Sequence, residues 1–228
     1  MNAGFRTRLL SLQRSYNDRL LTVVTILLLL LMFVVAPLQA AGFVIFEAFG
    51  VIVAAIMIGC VLVMSTSLFA TSVMLAGFLL NVLVILFRLY HPLSFDLQLV
   101  AGAWLIMVAT LGTVVARIVF GSGPVSFHRV IGAVLLYLLI AMTFVSLFVI
   151  VDLMVSNAFS GFVLKDSPDL ATTLIYFSFV TLTSTGYGDI VPVHPLARSL
   201  CNIETIIGQL YPATLLARLV TLELEGRR

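Results

Sequence analysis

Long apolar runs recur along almost the whole chain and constrain its fold more than any other feature. Lipid offers no hydrogen-bond partner to a backbone N–H or C=O group, so an apolar run that crosses a bilayer must be a helix. About 20 residues suffice for one crossing. Six runs reach that length: Leu20–Gln39, Phe43–Met64, Ser67–Phe87, Leu97–Phe120, Val130–Val151 and Leu196–Val220. Charged residues make up only 10% of the chain, against about 25% in a soluble domain. The sequence therefore predicts an all-α membrane protein with six transmembrane helices.

A seventh apolar run, residues 170–182, is too short to span the membrane. Its start favours a helix, with Ser167 as N-cap, Pro168 at the first helical position and Asp169 near the positive end of the helix dipole. Non-helical backbone at membrane depth is tolerated only where protein or a water-filled cavity surrounds it. We therefore expect a re-entrant helix that carries the residues after it into a cavity.

Residues 181–189 have the sequence Thr-Leu-Thr-Ser-Thr-Gly-Tyr-Gly-Asp. Hydroxyl side chains lead up to two glycines that flank a tyrosine, and a carboxylate closes the stretch. A carbonyl oxygen replaces water around a cation only if it points at the pore axis. Successive inward carbonyls require alternating backbone angles, some of them left-handed, and glycine adopts those at little cost. This composition is suited to lining a narrow cation pathway.

The stretch resembles the selectivity filter of the tetrameric potassium-channel superfamily, and the resemblance extends over residues 130–220. It implies a homotetramer in which each chain supplies an outer helix, a pore helix 170–182, a filter 183–189 and an inner helix 196–220. The implied function is passive, selective conduction of K⁺ across the membrane. No covalent chemistry is involved, so we expect neither enzyme activity nor a cofactor, and K⁺ is the permeant ion.

The filter in that family corresponds here to seven residues: Thr183, Ser184, Thr185, Gly186, Tyr187, Gly188 and Asp189. By the resemblance, the carbonyls of residues 184–187 hold dehydrated K⁺, and the Ser184 hydroxyl adds a ligand. Ser184 departs from the more usual threonine and lacks the methyl group that fixes the rotamer. Thr185 departs from the usual valine, and its hydroxyl needs a partner.

Residues outside the filter are expected to support it or to gate the pore. Tyr176 and Phe177 match the aromatic pair that forms a cuff around the filter in the family, with generic aromatic packing as the alternative. Gly208 matches the hinge glycine of the inner helix, and Pro212 removes a helical hydrogen bond nearby. Close helix packing is the alternative for Gly208. Glu204 either faces the water-filled cavity or is hydrogen-bonded behind the pore helix.

The first four segments, residues 20–120, follow the order found in voltage-gated channels. In a voltage sensor, arginines recur along the fourth segment, because each charge that crosses the field contributes about 2.3 kcal/mol per 100 mV. Here Leu97–Phe120 contains Arg117 as its only basic residue. We therefore expect a four-helix domain that resembles a voltage sensor but lacks gating charges, and a pore without strong voltage dependence.

Basic residues predict the orientation, because cytoplasmic loops carry an excess of them. With both termini cytoplasmic, nine lie inside and three outside: Arg6, Arg8, Arg14, Arg19, Arg117, Arg129, Arg218, Arg227 and Arg228 inside, and Arg88, Lys165 and Arg198 outside. Residues 1–19 are either an interfacial helix or a basic flank, and residues 221–228 a short cytoplasmic tail. A signal peptide cleaved near Ala40 is disfavoured by the length of the apolar run.

The expected partners are three more copies of the chain and membrane lipids, in the plasma membrane. A net charge of +2 is too small to indicate nucleic acid binding, and the sequence points to no particular accessory protein. Cys60 and Cys201 both lie in apolar segments and are interpreted as buried hydrophobes. The alternative functions are a less selective cation channel, a pore subunit of a cation transport system, and a non-conducting membrane subunit.

Overall fold

The structure is a computed structural model that describes residues 20–43, 49–65, 67–90, 96–121, 127–162, 164 and 169–226. This part of the chain is mostly helical. Its helices are α1 Leu20–Ala40, α2 Phe49–Met64, α3 Leu68–Tyr90, α4 Asp96–Val119, α5 Phe127–Met154, α6 Leu170–Leu182 and α7 Pro195–Gly226. Two short strands, β1 Phe159–Ser160 and β2 Val191–Pro192, lie on either side of α6 in the sequence. Residues 1–19, predicted to be either an interfacial helix or a basic flank, lie outside the described residues.

Four of the described helices are long and apolar enough to cross a membrane: α1, α3 over Leu68–Phe87, α4 and α5. Helix α2 has 16 residues, and its apolar part, Ile52–Leu62, is shorter than a span. Helix α7 has 32 residues, but polar side chains lower its hydropathy below that of the four. Crossings by α2 and α7 therefore stay predictions. Large apolar side chains such as Leu68 and Phe69 lie exposed on α3, as expected of a surface that faces lipid.

Helix α6 spans the predicted residues 170–182, but its capping residue differs from the predicted one. Asp169 occupies the cap position, and the Thr173 N–H donates to the Asp169 carbonyl over 2.9 Å. The helix thus begins after Asp169 rather than at Pro168. The proposed cap, Ser167, lies outside the described residues, as does Pro168.

Helix α1 connects the N-terminal helices to the C-terminal half of the chain. It packs on α5, where Thr22 Oγ1 lies 2.8 Å from His128 Nδ1. It also packs on α6, where the rings of Phe33 and Phe179 meet edge to face with centroids 5.0 Å apart. A buried apolar core links α1 to α2, α4 and α5. Of the first four helices, α1 and α4 are therefore packed directly on the part of the chain that carries the predicted filter.

A second core holds α5, α6 and the strands together. Its centre is Phe148, whose side chain is fully buried and whose ring centroid lies 5.4 Å from that of Phe159 and 5.0 Å from that of Phe177. The strands pair antiparallel, so the segments before α6 and after residue 189 are joined. Gly161 has φ +101°, and a side chain there would overlap the carbonyl oxygen of Asp189. The residues between α6 and α7 are therefore held at both ends.

Two arginines gather at the C-terminal end of α4. The Arg129 Nη2 atom donates to the Ile118 carbonyl over 2.8 Å. The Arg218 Nη2 atom donates to the Phe120 carbonyl over 2.8 Å, and its guanidinium carbon lies 5.0 Å from the Phe120 ring centroid. Cations suit the free carbonyls at a helix C-terminus. Arg117, in the last turn of α4, lies at the same end of the helix bundle as these two arginines.

Candidate functional site

The backbone of the predicted filter alternates in handedness. Ser184, Gly186 and Gly188 have φ angles of +58°, +58° and +81°, whereas Thr185 and Tyr187 have negative φ. Alternation of this kind turns successive carbonyl groups toward one side of a strand, which is the backbone geometry that carbonyl coordination of a cation requires. Glycine takes a positive φ without penalty. Ser184 does not, so its conformation depends on the contacts around it.

The inner end of this segment is anchored to the last turn of α6. The Thr185 N–H donates to the Val180 carbonyl over 2.9 Å. The Thr183 hydroxyl donates to the Phe179 carbonyl over 2.7 Å and lies 2.8 Å from the Thr185 hydroxyl. A hydroxyl carries one hydrogen, so the Thr185 hydroxyl must be the donor to Thr183. The polar group that Thr185 introduces in place of valine therefore has a partner.

The outer end is tied to α6 by a tyrosine. The Tyr176 hydroxyl donates to Asp189 Oδ2 over 2.7 Å, and the Ile190 N–H donates to Asp189 Oδ1 over 3.0 Å. The Tyr176 ring also stacks on Tyr187, with centroids 6.2 Å apart. The Tyr176 hydrogen bond is the main cause that lowers the pKa of Asp189 below its usual value. Asp189 is exposed, so its negative charge can attract cations to this end of the segment.

The predicted aromatic pair is divided between two surroundings. Tyr176 contacts Tyr187 in the loop between α6 and α7, residues 183–194, whereas Phe177 points into the core beside Phe148 and Phe159. Neighbouring residues on a helix do not share a face, which is why the two rings separate. Within one chain, Phe177 therefore supports the site only by fixing α6.

Glu204 lies on α7, in contact with α6 and α5, and its exposed fraction is 0%. Its Oε1 atom is 2.5 Å from Ser178 Oγ, which is also 2.9 Å from the Ala141 carbonyl oxygen. The single serine hydrogen cannot serve both oxygens fully. The serine hydroxyl is therefore shared between Glu204 Oε1 and the Ala141 carbonyl, and Glu204 Oε2 has no hydrogen-bond partner among the described residues. Glu204 thus occupies the second predicted position, hydrogen-bonded behind α6, and within the chain it has no surface toward a cavity.

Three residues of α7 after Glu204 contact the last turn of α6 or the residues that follow it. The Thr205 hydroxyl donates to the Thr181 carbonyl over 3.3 Å. Gly208 packs so closely against α6 that a Cβ atom would overlap the Leu182 carbonyl oxygen. The Gln209 Nε2 atom donates to Ser184 Oγ over 2.8 Å. Residues with this spacing share one helix face. A single face of α7 therefore contacts both the end of α6 and Ser184 in the loop.

The helix α7 continues through both residues of the predicted hinge, Gly208 and Pro212. The contact of Gly208 with the Leu182 carbonyl gives the glycine a packing role, which was the alternative. Gating by these two residues stays a prediction.

Ser178 and Asp152 belong to this region but carry no motif in the sequence. Ser178 is buried and bonds to Ala141 and Glu204, and buried Asp152 accepts the Ala158 N–H over 2.8 Å. A lone polar residue inside an apolar run must find a partner when it is buried. That rule would have marked both residues as structural but would not have named their partners.

Comparison with known proteins identifies a family for the chain. A family model described as "Ion channel" matches residues 103–224, which is more than half of the chain. The match begins within α4, includes α5, α6 and the loop with alternating backbone angles, and ends two residues before the end of α7. No curated protein and no solved structure matches the chain.

Proposed function

The chain belongs to the ion-channel family, and from that premise we propose that it is a potassium-selective channel. Membership identifies a membrane-embedded, multi-pass channel protein that acts in ion transport rather than as an enzyme. The family also indicates an oligomeric assembly in the membrane. The proposal adds the permeant ion, the residues that bind it and the number of chains.

One observation carries the proposal: the alternating φ angles at residues 184–188, in a segment with the sequence Ser-Thr-Gly-Tyr-Gly. Carbonyl oxygens aligned on one side of a strand suit a dehydrated monovalent cation. In this proposal K⁺ is held by the carbonyls of Ser184, Thr185, Gly186 and Tyr187. Asp189 attracts cations to the mouth, and no cofactor takes part.

A carbonyl cage needs several such strands around one axis, so we propose a homotetramer. Each chain crosses the membrane six times, through α1–α5 and α7, and α6 serves as the pore helix. The arginines at the C-terminal end of α4 support placing that end in the cytoplasm. Both termini are then cytoplasmic, in a plasma membrane whose lipids contact the apolar outer faces.

A less selective cation channel, or the pore subunit of a cation transport system, is the second candidate. Ser184 and Thr185 favour it, because both depart from the residues usual in a potassium filter. The hydrogen bonds of these two side chains weigh against it, since each hydroxyl has a partner within the chain.

Reversal potentials measured in liposomes that contain the full-length protein, under a K⁺/Na⁺ gradient, test the proposal. A reversal near the K⁺ equilibrium potential is expected for the channel, and loss of the current for Gly186→Ala. No atom outside its chain neighbours lies within 4 Å of a Cβ at Gly186, so this substitution acts through the φ of +58°.

Gly102→Ala is the matched control. Its added Cβ also has no neighbour within 4 Å, but Gly102 has ordinary helical backbone in α4. Its current should be retained. A wild-type reversal near zero would overturn potassium selectivity in favour of the second candidate.

A further inference from the structure

The amide of Gln209 reaches the predicted innermost ion site from a helix other than α6. Its Nε2 atom donates to Ser184 Oγ over 2.8 Å. Both side chains are exposed, so other residues of the same chain do not cover the pair. The bond joins α7 to the one residue of the filter whose side chain, as well as its carbonyl, is proposed to face the ion.

Ser184 needs an orienting partner for two reasons. It has a positive φ without being glycine, and it lacks the Cγ methyl group that restricts χ1 in threonine. A free serine hydroxyl samples three rotamers, only some of which direct its oxygen toward the pore axis. An ion ligand that turns away part of the time binds more weakly.

We infer that Gln209 is a positioning residue that fixes the Ser184 hydroxyl as a ligand of the innermost ion site. This inference rests on the proposed function. A hydroxyl oxygen has two lone pairs. One accepts the Gln209 N–H, which leaves the other for the cation. The amide of Gln209 thereby performs, through a hydrogen bond from a different helix, the restriction that the methyl group of a threonine would provide.

The packing of α7 on α6 fixes the position of Gln209 relative to Ser184. Gly208, the preceding residue, is packed against the Leu182 carbonyl with no room for a side chain. Thr205, one turn earlier, is bonded to the Thr181 carbonyl. Helix α7 cannot slide along α6 without breaking both contacts, so the distance between Gln209 and Ser184 is fixed by packing and not by the long glutamine side chain alone.

The inference is tested by adding Ba²⁺ to the reconstituted, full-length channel and measuring the block of the K⁺ current. The Ba²⁺ is added on the side proposed to be cytoplasmic. Ba²⁺ is close to K⁺ in size and carries twice the charge, so it binds strongly to oxygen sites built for K⁺. Gln209→Met keeps the side-chain volume and removes the donor. We expect it to weaken Ba²⁺ block roughly two- to tenfold, the equivalent of one hydrogen bond, with the reversal potential still near the K⁺ value.

Substitution of Ser184 separates positioning from a general structural effect. In a Ser184→Thr background the methyl group restricts the hydroxyl, so Gln209→Met should change Ba²⁺ affinity by less than about twofold. Ser184→Ala removes the ligand and should weaken block at least as much as Gln209→Met. Asn202→Ala is the matched control, because it removes an exposed amide from α7 about two turns earlier and should leave the block unchanged.

Two results would overturn the inference while leaving the proposed function intact. One is a K⁺-selective channel in which Gln209→Met or Ser184→Ala leaves Ba²⁺ affinity unchanged. The other is an equal loss from Gln209→Met in the wild-type and Ser184→Thr backgrounds. A wild-type channel that does not select K⁺ over Na⁺ would instead reject the proposed function itself.

Discussion

At the scale of single residues, side-chain oxygen atoms hold both ends of the segment from Thr183 to Asp189. At the inner end, the Thr185 hydroxyl donates to Thr183, which donates to the Phe179 carbonyl. At the outer end, Tyr176 donates to the Asp189 carboxylate. These hydrogen bonds restrict the conformation of the segment, because each hydroxyl donates to a single acceptor.

The bond between Tyr176 and Asp189 predicts a shift in acid sensitivity. The lowered pKa of Asp189 means that its charge is present above the usual carboxyl range and is lost as the pH falls through the lowered value. Tyr176→Phe removes the donor, so the pKa should rise toward the ordinary value near 3.9. Inhibition of the K⁺ current by acid at the outer mouth should then begin at a higher pH.

Currents recorded against outer pH at low ionic strength would measure this shift, since salt screens an exposed charge. Tyr211→Phe is the control: its hydroxyl donates to the Ala133 carbonyl, away from the loop, and its acid profile should match the wild type. Identical profiles for Tyr176→Phe and the wild type would show that the Asp189 charge does not act on the current.

At the scale of helices, α6 and α7 are locked in register by contacts that run in the same order along both. Ser178 meets Glu204, Thr181 meets Thr205, and Leu182 meets Gly208. A movement of α7 near Gly208 would therefore displace Leu182 and the residues that follow it.

Gly208 and Pro212 should respond differently to substitution by alanine. Gly208→Ala places a methyl group on the Leu182 carbonyl, and overpacking of this kind costs about 1–3 kcal/mol. We expect a lower unfolding temperature of the detergent-solubilised protein and reduced current. Pro212→Ala restores a helical N–H and should leave the unfolding temperature unchanged or higher.

Thermal unfolding and single-channel recordings of both variants provide the measurement. If Pro212→Ala changes the open probability without changing stability, α7 bends at this position during gating. A Gly208→Ala protein as stable as the wild type would contradict the packing role of the glycine.

At the scale of the whole molecule, the N-terminal helices are joined to the part of the chain that carries the predicted filter through α1 and α4. The only basic residue of α4, Arg117, lies in its last turn, where it would cross little of the membrane field. A voltage sensor instead moves about 3–4 charges in each of four subunits. We therefore predict that the domain formed by α1–α4 transmits a movement to the rest of the chain but does not sense voltage.

This predicts a shallow relation between conductance and voltage. Between about −100 and +100 mV the open probability should change little, and Arg117→Gln should leave it unaltered. Macroscopic currents from the reconstituted channel, measured with equal K⁺ on both sides, would show this. A steep relation that flattens in Arg117→Gln would be the opposite result and would assign a sensing role to α4.

Features that depend on neighbouring residues could be predicted from the sequence. The length of apolar runs fixed the helical class, and the range 170–182 matches α6. The two glycines around Tyr187 predicted left-handed backbone, because few other residues tolerate it, although Ser184 adopts it as well. The cap of this helix is Asp169 rather than the predicted Ser167, since several residues before Leu170 were suitable caps.

The tertiary structure alone decided which distant side chains meet. Glu204 had two possible surroundings in the sequence, and the packing of α7 on α6 placed it beside Ser178, 26 residues away. Gln209 meets Ser184 across 25 residues for the same reason. Such pairs depend on the rotation and register of whole helices, which here follow from the close approach at Gly208, and no local pattern of residues encodes them.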